Sequence, residues 1–353
     1  MLYKEGVTQM KRILLFASIV LILVGIRAGL RAEDTPLGND ALSAVLGDMA
    51  PDPIEDIPDN VIAVTGEENI RQLIQNHIIE FEIGPQEPRH DIVWQFVPGL
   101  HGVEFDFELS YQNMLMHGQF DQSLMVRRSI PYEGSNEEFR RHRIYRGNEN
   151  SPYVGLLINV AWGGDELTKM LDILDEHNVQ ASIFFEGRYA NNNRDLVLDV
   201  FNRGHIIGNH SYSHPANWLD LSYDNFEEEI VLTNEIIADI TGEETTFFAP
   251  PAGAFTDDTI QAAYDQGMYT VLWSADSIDW RGEPASVLVE RVMDRITPGG
   301  LILTHPKPET VIALPEIIEQ VRGEGYEFRR IDEIVSGERE RLQTKQQKQP
   351  VEN

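Results

Sequence analysis

From residue 153 onward the chain alternates two textures in a regular order. Short apolar runs at 154–161, 180–185, 205–207, 245–248, 269–273, 300–303 and 326–328 have the length and composition of strands. Between them apolar positions recur at helical spacing over 165–177, 194–202, 223–240, 257–265, 286–295 and 309–322. Strand and helix in such alternation predict an α/β fold with a parallel sheet wrapped by helices, and the number of strands favours a (β/α) barrel over an open sheet. In a barrel the chemistry sits just past the C-terminal ends of the strands. That rule selects 161–165, 210–214, 249–253, 274–280 and 304–305 before any motif is considered.

Upstream the pattern is less regular. VIAVTG reads as a strand, IRQLIQNHIIEF has helical spacing, and VEFDFELSYQNMLMHG runs from alternation into an amphipathic turn, so residues 60–132 are expected to form a small α+β accessory module. Residues 133–152 are polar and turn-rich and read as a linker to a barrel spanning 153–336. Residues 33–59, rich in Pro and Asp, read as a flexible tether, and 337–353 as a polar tail. At the start of the chain Lys11 and Arg12 precede an apolar run over 13–26, short for a membrane span and of signal-peptide length, with a weak small-residue cleavage site near Ala32. Residues 1–32 are therefore expected to be a signal peptide or a retained signal-anchor. Either places the body outside the cytoplasmic membrane and confines membrane contact to that segment.

Composition narrows the partners. With 58 acidic against 28 basic side chains the net charge is -30, spread through every segment, which repels nucleic acid and anionic lipid headgroups. The absence of cysteine removes disulfides, thiolate metal ligands and a Cys nucleophile. A hydrophobic content of 42% is ample for a sizeable core.

Candidate chemistry centres on GNHSYSHP at 208–215, where His210 and His214 stand four residues apart. On one helical turn that spacing points two imidazoles the same way, which is how a protein offers two nitrogens to a Zn-like ion. Histidines in a Ser-rich loop can equally cap or hydrogen-bond. Two ligands do not complete a site, and His77, His90, His101 and His117 share no ligand spacing with them.

GHIIGNHSYSHP, FFAPPAG, SADSIDW and LILTHP, in this order and spacing over about 153–335, resemble the NodB-homology polysaccharide deacetylases of carbohydrate esterase family 4. The resemblance implies a distorted (β/α) barrel and metal-dependent hydrolysis of N-acetyl groups on a cell-wall or related amino-sugar polysaccharide. LLINVAWG, with the preceding IYRG, is most similar to an exported, sporulation-associated branch. By the same resemblance His210 and His214 hold a divalent metal, Zn by preference. The family's base and third ligand are the two Asp of TFDDG; here NVAWG puts Ala161 at the base and Trp162 at the ligand, and Ala249 replaces the Arg that tethers the base. Asp279 matches the carboxylate that orients the general-acid imidazole, here His305; such a pair favours the protonated ring that can hand a proton to a leaving amine. Trp280, Leu303 and Ala252 match the substrate pocket.

Asp165, three residues past Trp162, is a candidate replacement ligand, and Glu166 follows it. Both also suit a helix's first turn, where acidic side chains favour the macrodipole. Trp162, Trp218 and Trp280 can stack on sugar rings or fill the core. Two functional readings follow: a carbohydrate N-deacetylase, a hydrolase of carbon–nitrogen bonds other than peptide bonds; or a deacetylase-fold protein that binds cell-wall glycan and has lost turnover.

Overall fold

The structure, a computed structural model, describes residues 66–339; the leader, the tether, the expected strand at 61–66 up to its last residue and the tail from 340 lie outside the described residues. The accessory module opens with α1 (Gly66–Phe81), which turns Ile70 and Ile74 inward. A hairpin of β1 (Arg89–Asp91) and β2 (Gln95–Val97) follows, then β3 (Gly102–Asp106), α2 (Phe107–His117) and β4 (Val126–Ile130), with β3 and β4 antiparallel. Asp106 caps α2 by accepting from the Leu109 N–H at 2.9 Å, and Gly118 at φ 84° closes it in the left-handed conformation that glycine tolerates. Ile70, Ile74, Tyr111, Met114 and Met125 form the module's own small core.

That core is not the module's only anchorage. Phe96 of β2 is fully buried and stacks on Phe139 and Tyr269, at 5.1 and 6.3 Å between ring centroids, inside the second, larger core. The stretch 133–152 is accordingly no free linker. Ile144, fully buried, donates its N–H to Thr270 O at 2.9 Å and accepts from Leu272 N at 2.7 Å, and Gly147 N donates to Gly299 O at 2.6 Å. The turn-rich polarity around Ile144 hid one apolar residue that the sheet edge needs. Residues 337–339, expected in the tail, also pack: His101 N donates to Gly337 O, and Arg339 Nε to His101 O, each at 2.8 Å.

The main fold runs β5 (Tyr153–Val160), α3 (Gly164–Glu176), β6 (Ser182–Phe185), α4 (Gly187–Asn192), α5 (Arg194–Asn202), β7 (Ile206–Asn209), α6 (Tyr223–Thr241), β8 (Phe247–Phe248), α7 (Asp257–Asp265), β9 (Tyr269–Thr270), β10 (Ala275–Asp276), α8 (Ala285–Met293), β11 (Leu301–Thr304), α9 (Pro308–Gly323), β12 (Glu327–Phe328) and α10 (Ile331–Ser336). The sheet order is β10-β11-β5-β6-β7-β8-β9 with β12 beside the start of β5, and every pairing in it is parallel. Bridges from Ile144 to Val271 and from Arg146 to Gly300 link the β9 end to the β11 end, which makes the curled sheet a distorted (β/α) barrel. Three short elements, α4, β10 and α10, escape a periodicity reading because each is under two helical turns or two residues long.

The central strand shows how the sequence sets the layers. All eight residues of β5 are buried, as a parallel strand covered on both faces requires. Val154, Leu156, Ile158 and Val160 pack outward under the helices, while Tyr153 and Leu157 point to the barrel interior. The outer layer is completed by amphipathic stripes such as Leu167, Met170, Leu171 and Leu174 of α3, all fully buried, each contributing about 1.5–3 kcal/mol. Inside, Phe184 fills the space beside Gly208, where an added Cβ would lie 2.3 Å from the ring, so no larger residue fits without moving it. Gly208 and Asn209 then carry the chain out of β7 to the strand-end face. Among the described residues no helix is long and apolar enough to cross a membrane.

Candidate functional site

Five strand-end loops, after β5, β7, β8, β10 and β11, carry the predicted side chains. The loop after β7 begins with His210, whose N–H donates to Phe185 O at 2.9 Å and which is 3% exposed. The sequence suggested a helical turn here; the structure has none. Ser211 and His214 instead take left-handed φ of 64° and 45°, held by Asn209 Oδ1 accepting from Ser211 N at 2.8 Å and by Ser211 Oγ accepting from His214 N at 3.0 Å. Glu229 of α6 clamps the far side, taking Ser213 N at 2.8 Å and Ser213 Oγ at 2.6 Å. This loop brings the rings of His210 and His214 to 5.0 Å, edge to face. His210 Nδ1 lies 2.7 Å from Ala249 O; a carbonyl only accepts, so Nδ1 carries the hydrogen and Nε2 keeps its lone pair. Burial, reinforced by the neighbouring His214, pushes the His210 pKa down to about 3, so the ring is neutral.

The second centre joins the loops after β10 and β11. Asp279 is fully buried just past Ile278, itself left-handed at φ 55°. Its Oδ1 accepts from His305 Nδ1 at 2.7 Å, and its Oδ2 accepts from His305 N at 2.6 Å and from Thr310 Oγ1 at 2.7 Å. The carboxylate thus fixes both the backbone and the ring of His305, leaving Nε2 as the ring's other end. A cap or loose loop contact would not explain a carboxylate with zero exposure and three charge-assisted bonds.

The loop after β5 holds Ala161 and Trp162, two departures from the motif that the sequence resembles. Ala161 is half-buried, while Trp162 is 43% exposed and lies parallel to the His305 ring, at 5.9 Å and 6°. Gly163, at φ 78°, passes so close to the next loop that a Cβ would sit 2.5 Å from Pro306 O. Lys307 Nζ stands 5.6 Å from the Trp162 ring centroid. Sequence reading missed Lys307; its place two residues past His305 was the available signal. Ala249 is buried where the tethering Arg would start.

Of the pocket residues, Trp280 is 54% exposed with Arg281 over its ring, Ala252 is exposed in a left-handed conformation (φ 54°, ψ 16°), and Leu303 is buried in the barrel interior. Trp218 belongs to the core, 3% exposed between Phe226 and Phe248, so it offers no sugar platform. Asp165 opens α3, exposed, and Glu166 beside it pairs with Lys169 at 3.9 Å. The macrodipole reading of these two acids accounts for their positions. Among the described residues no three His, Asp or Glu side chains form a group able to hold a metal ion, so Asp165 does not complete the His210–His214 pair. A three-ligand metal centre therefore does not fit the residues present.

Of the six non-glycine residues with positive φ among the described residues, Ser211, His214, Ala252 and Ile278 sit in these strand-end loops, the others being Gln95 and Asn178. Such conformations cost on the order of 1–3 kcal/mol each and persist only where the surroundings enforce them. The strain is gathered where the side chains converge.

Comparison with known proteins agrees with this geometry. Residues 146–271 match the family model described as polysaccharide deacetylase. The chain is 30% identical over 266 residues to a peptidoglycan-N-acetylglucosamine deacetylase of Bacillus cereus, covering 70% of this chain and 96% of that protein. Among solved structures, wild-type BA3943 of Bacillus anthracis, described as a carbohydrate esterase family 4 pseudoenzyme, is similar at 37% identity with a TM-score of 0.72, over 76% of this chain and 96% of that one. A mutant of the same protein, described as having restored enzymatic activity, is similar at 36% identity with a TM-score of 0.71, over 76% of this chain and 99% of that one.

Proposed function

The chain belongs to the polysaccharide deacetylase family, carbohydrate esterase family 4, and on that premise we propose that it engages the N-acetylated amino-sugar polymer of the cell wall as a deacetylase impaired in turnover. In the family's reaction the amide C–N bond breaks, water supplies hydroxyl to the acyl carbon, and the leaving nitrogen takes a proton, giving acetate and a free amine. His305 stands ready for the last of these tasks: Asp279 fixes its ring through Nδ1, and the opposite nitrogen is the one able to face a leaving amine. The group that would draw the proton from water is absent at Ala161, and the carboxylate that would join two imidazoles is absent at Trp162. A divalent metal, where held, polarises the carbonyl and the water. The pair His210 and His214 is too small a donor set to support a step through it here.

The observation that carries the proposal is the fully buried Asp279 with its three bonds to His305 and Thr310, beside a β5 loop without carboxylates at 161 and 162. An intact acid half and a missing base half support recognition of the acetylated sugar more than its rapid hydrolysis. The strained loops point the same way, since they hold a ligand-ready backbone at a stability cost. The apolar run over 13–26 supports export of the body, and the resemblance of LLINVAWG supports a role in sporulation; both belong to the proposal.

The test compares the wild type with a variant carrying Ala161→Asp, Trp162→Asp and Ala249→Arg. Metal content, acetate release from an acetylated glucosamine oligomer and binding of that oligomer are measured together. The wild type is expected to bind the oligomer with substoichiometric metal and little acetate, and the variant to gain a metal equivalent and about 10²–10⁴-fold faster release, the range of one general base. A wild type already loaded with metal and as fast as the variant refutes the impairment. A wild type that ignores the oligomer refutes recognition.

A further inference from the structure

Lys307 is a cation of the strand-end face, where it lies beside an exposed indole. In a chain of net charge -30, its ammonium forms no ion pair among the described residues, and its one close partner is the Trp162 ring. It is half-buried at the N-cap of α9, a 16-residue helix whose positive end adds to its field. The α3 N-terminus approaches the same spot, because Gly163 abuts Pro306. The acidic groups that oppose an anion here are Asp165 at the start of α3 and Glu309 at the start of α9, and neither is paired with Lys307. Asp279, also nearby, is saturated by His305 and Thr310.

Trp162 adds the second half. Its ring is 43% exposed and held in place from one side by the parallel His305 ring, whose own orientation Asp279 sets. An indole pre-ordered in this way presents a flat apolar surface that a pyranose face can cover, and the adjacent cation prefers a sugar that carries a negative group. Where the family pattern has a metal ligand, this chain has a stacking surface with an ammonium beside it.

We infer that Trp162 and Lys307 form a subsite for an N-acetylated sugar bearing a carboxylate, the lactyl ether of a muramic-type residue being the matching chemistry. The inference rests on the proposed recognition of acetylated glycan and names the sugar within it. Trp162 stacks on the ring and Lys307 pairs with the carboxylate. The selectivity is electrostatic and weakens as salt rises, because the ammonium is only half-buried.

Isothermal titration of the full chain with three probes decides it: a peptide-free oligosaccharide alternating N-acetylglucosamine and N-acetylmuramic acid, the same oligosaccharide with its lactyl carboxyls converted to methyl amides, and a chito-oligosaccharide of equal length. The wild type is expected to prefer the acidic probe by about three- to tenfold, the range of a partly exposed charge-assisted contact. Lys307→Gln should erase the preference, Lys307→Arg should keep it, and Trp162→Ala should weaken all three probes; melting curves establish that each variant folds. Equal wild-type affinity for the acidic and neutral probes, or a uniform loss in Lys307→Gln, overturns the inference while leaving glycan recognition standing. Binding of no probe overturns both. Unchanged binding in Trp162→Ala overturns the stacking half.

Discussion

Replacing Asp279 separates its structural work from its chemical work. In Asp279→Ala the His305 N–H, the His305 ring and the Thr310 hydroxyl all lose their acceptor, and Thr310 is fully buried. Each donor left without a partner costs about 1–3 kcal/mol, so a loss of about 3–5 kcal/mol is expected, allowing the half-buried ring to find water. Asp279→Asn behaves differently. Its remaining oxygen can take the place of Oδ2, which accepts two of the three bonds, and its NH₂ then faces His305 Nδ1. That nitrogen must become the acceptor, so the ring switches to the tautomer with hydrogen on Nε2, at a cost of about 1 kcal/mol. Urea unfolding at constant m-value reads the first quantity, and ¹⁵N shifts of the His305 ring read the second. Equal destabilisation by Ala and Asn, or a ring that keeps its hydrogen on Nδ1 in Asp279→Asn, would refute the assignment of three bonds to one carboxylate.

Two further outcomes are expected. His205 accepts from Ala181 N at 3.0 Å through Nδ1, its Nε2 has no partner, and burial drives its pKa down to about 4. The folded chain therefore binds fewer protons than the unfolded one between about pH 4 and 6.5, so this contribution is complete above about 6.5 and is lost as pH falls through 4, on the order of 3 kcal/mol. His205→Asn, whose oxygen can keep the Ala181 bond, should flatten the dependence of unfolding free energy on pH across that window; an unaltered slope contradicts the assignment. Export predicts that protease added to intact cells digests the body of the chain, and full protection would contradict it.

The barrel was legible because its strands are buried on both faces and its helices on one, which are different periodicities. Helices over 194–202 and 257–265 fall on the residues expected, since each bears a clean stripe between breakers. The module boundary was not legible. Phe96 and Ile144 look like ordinary apolar residues in polar surroundings, and only the folded chain shows that both enter the barrel core. At the site, the two histidine rings lie 5.0 Å apart through a local geometry the spacing did not suggest: left-handed Ser211 and His214, not a helical turn, bring them together. Spacing statistics assume regular backbone, and functional loops depart from it. Lys307 was invisible for a related reason, because its contact with Trp162 spans two loops that meet only where Gly163 lets the backbones touch.

Which half of the site survived follows from whether its support is backbone or side chain. His210 is oriented by the carbonyl of residue 249, so the exchange of a guanidinium for the Ala249 methyl leaves that hydrogen bond untouched. His305 is oriented by Asp279, which is itself locked by Thr310 and by the His305 N–H. Neither arrangement calls on residues 161, 162 or the side chain at 249. In the family pattern the base and its tether, by contrast, depend on each other: a carboxylate at 161 without the Arg is a charge short of its partner, and an Arg at the buried position 249 without the carboxylate is an uncompensated one. The two are stable together or absent together. Ala161 and Ala249 stand where that pair would be, and the bonds that orient His210 and His305 do not pass through either side chain.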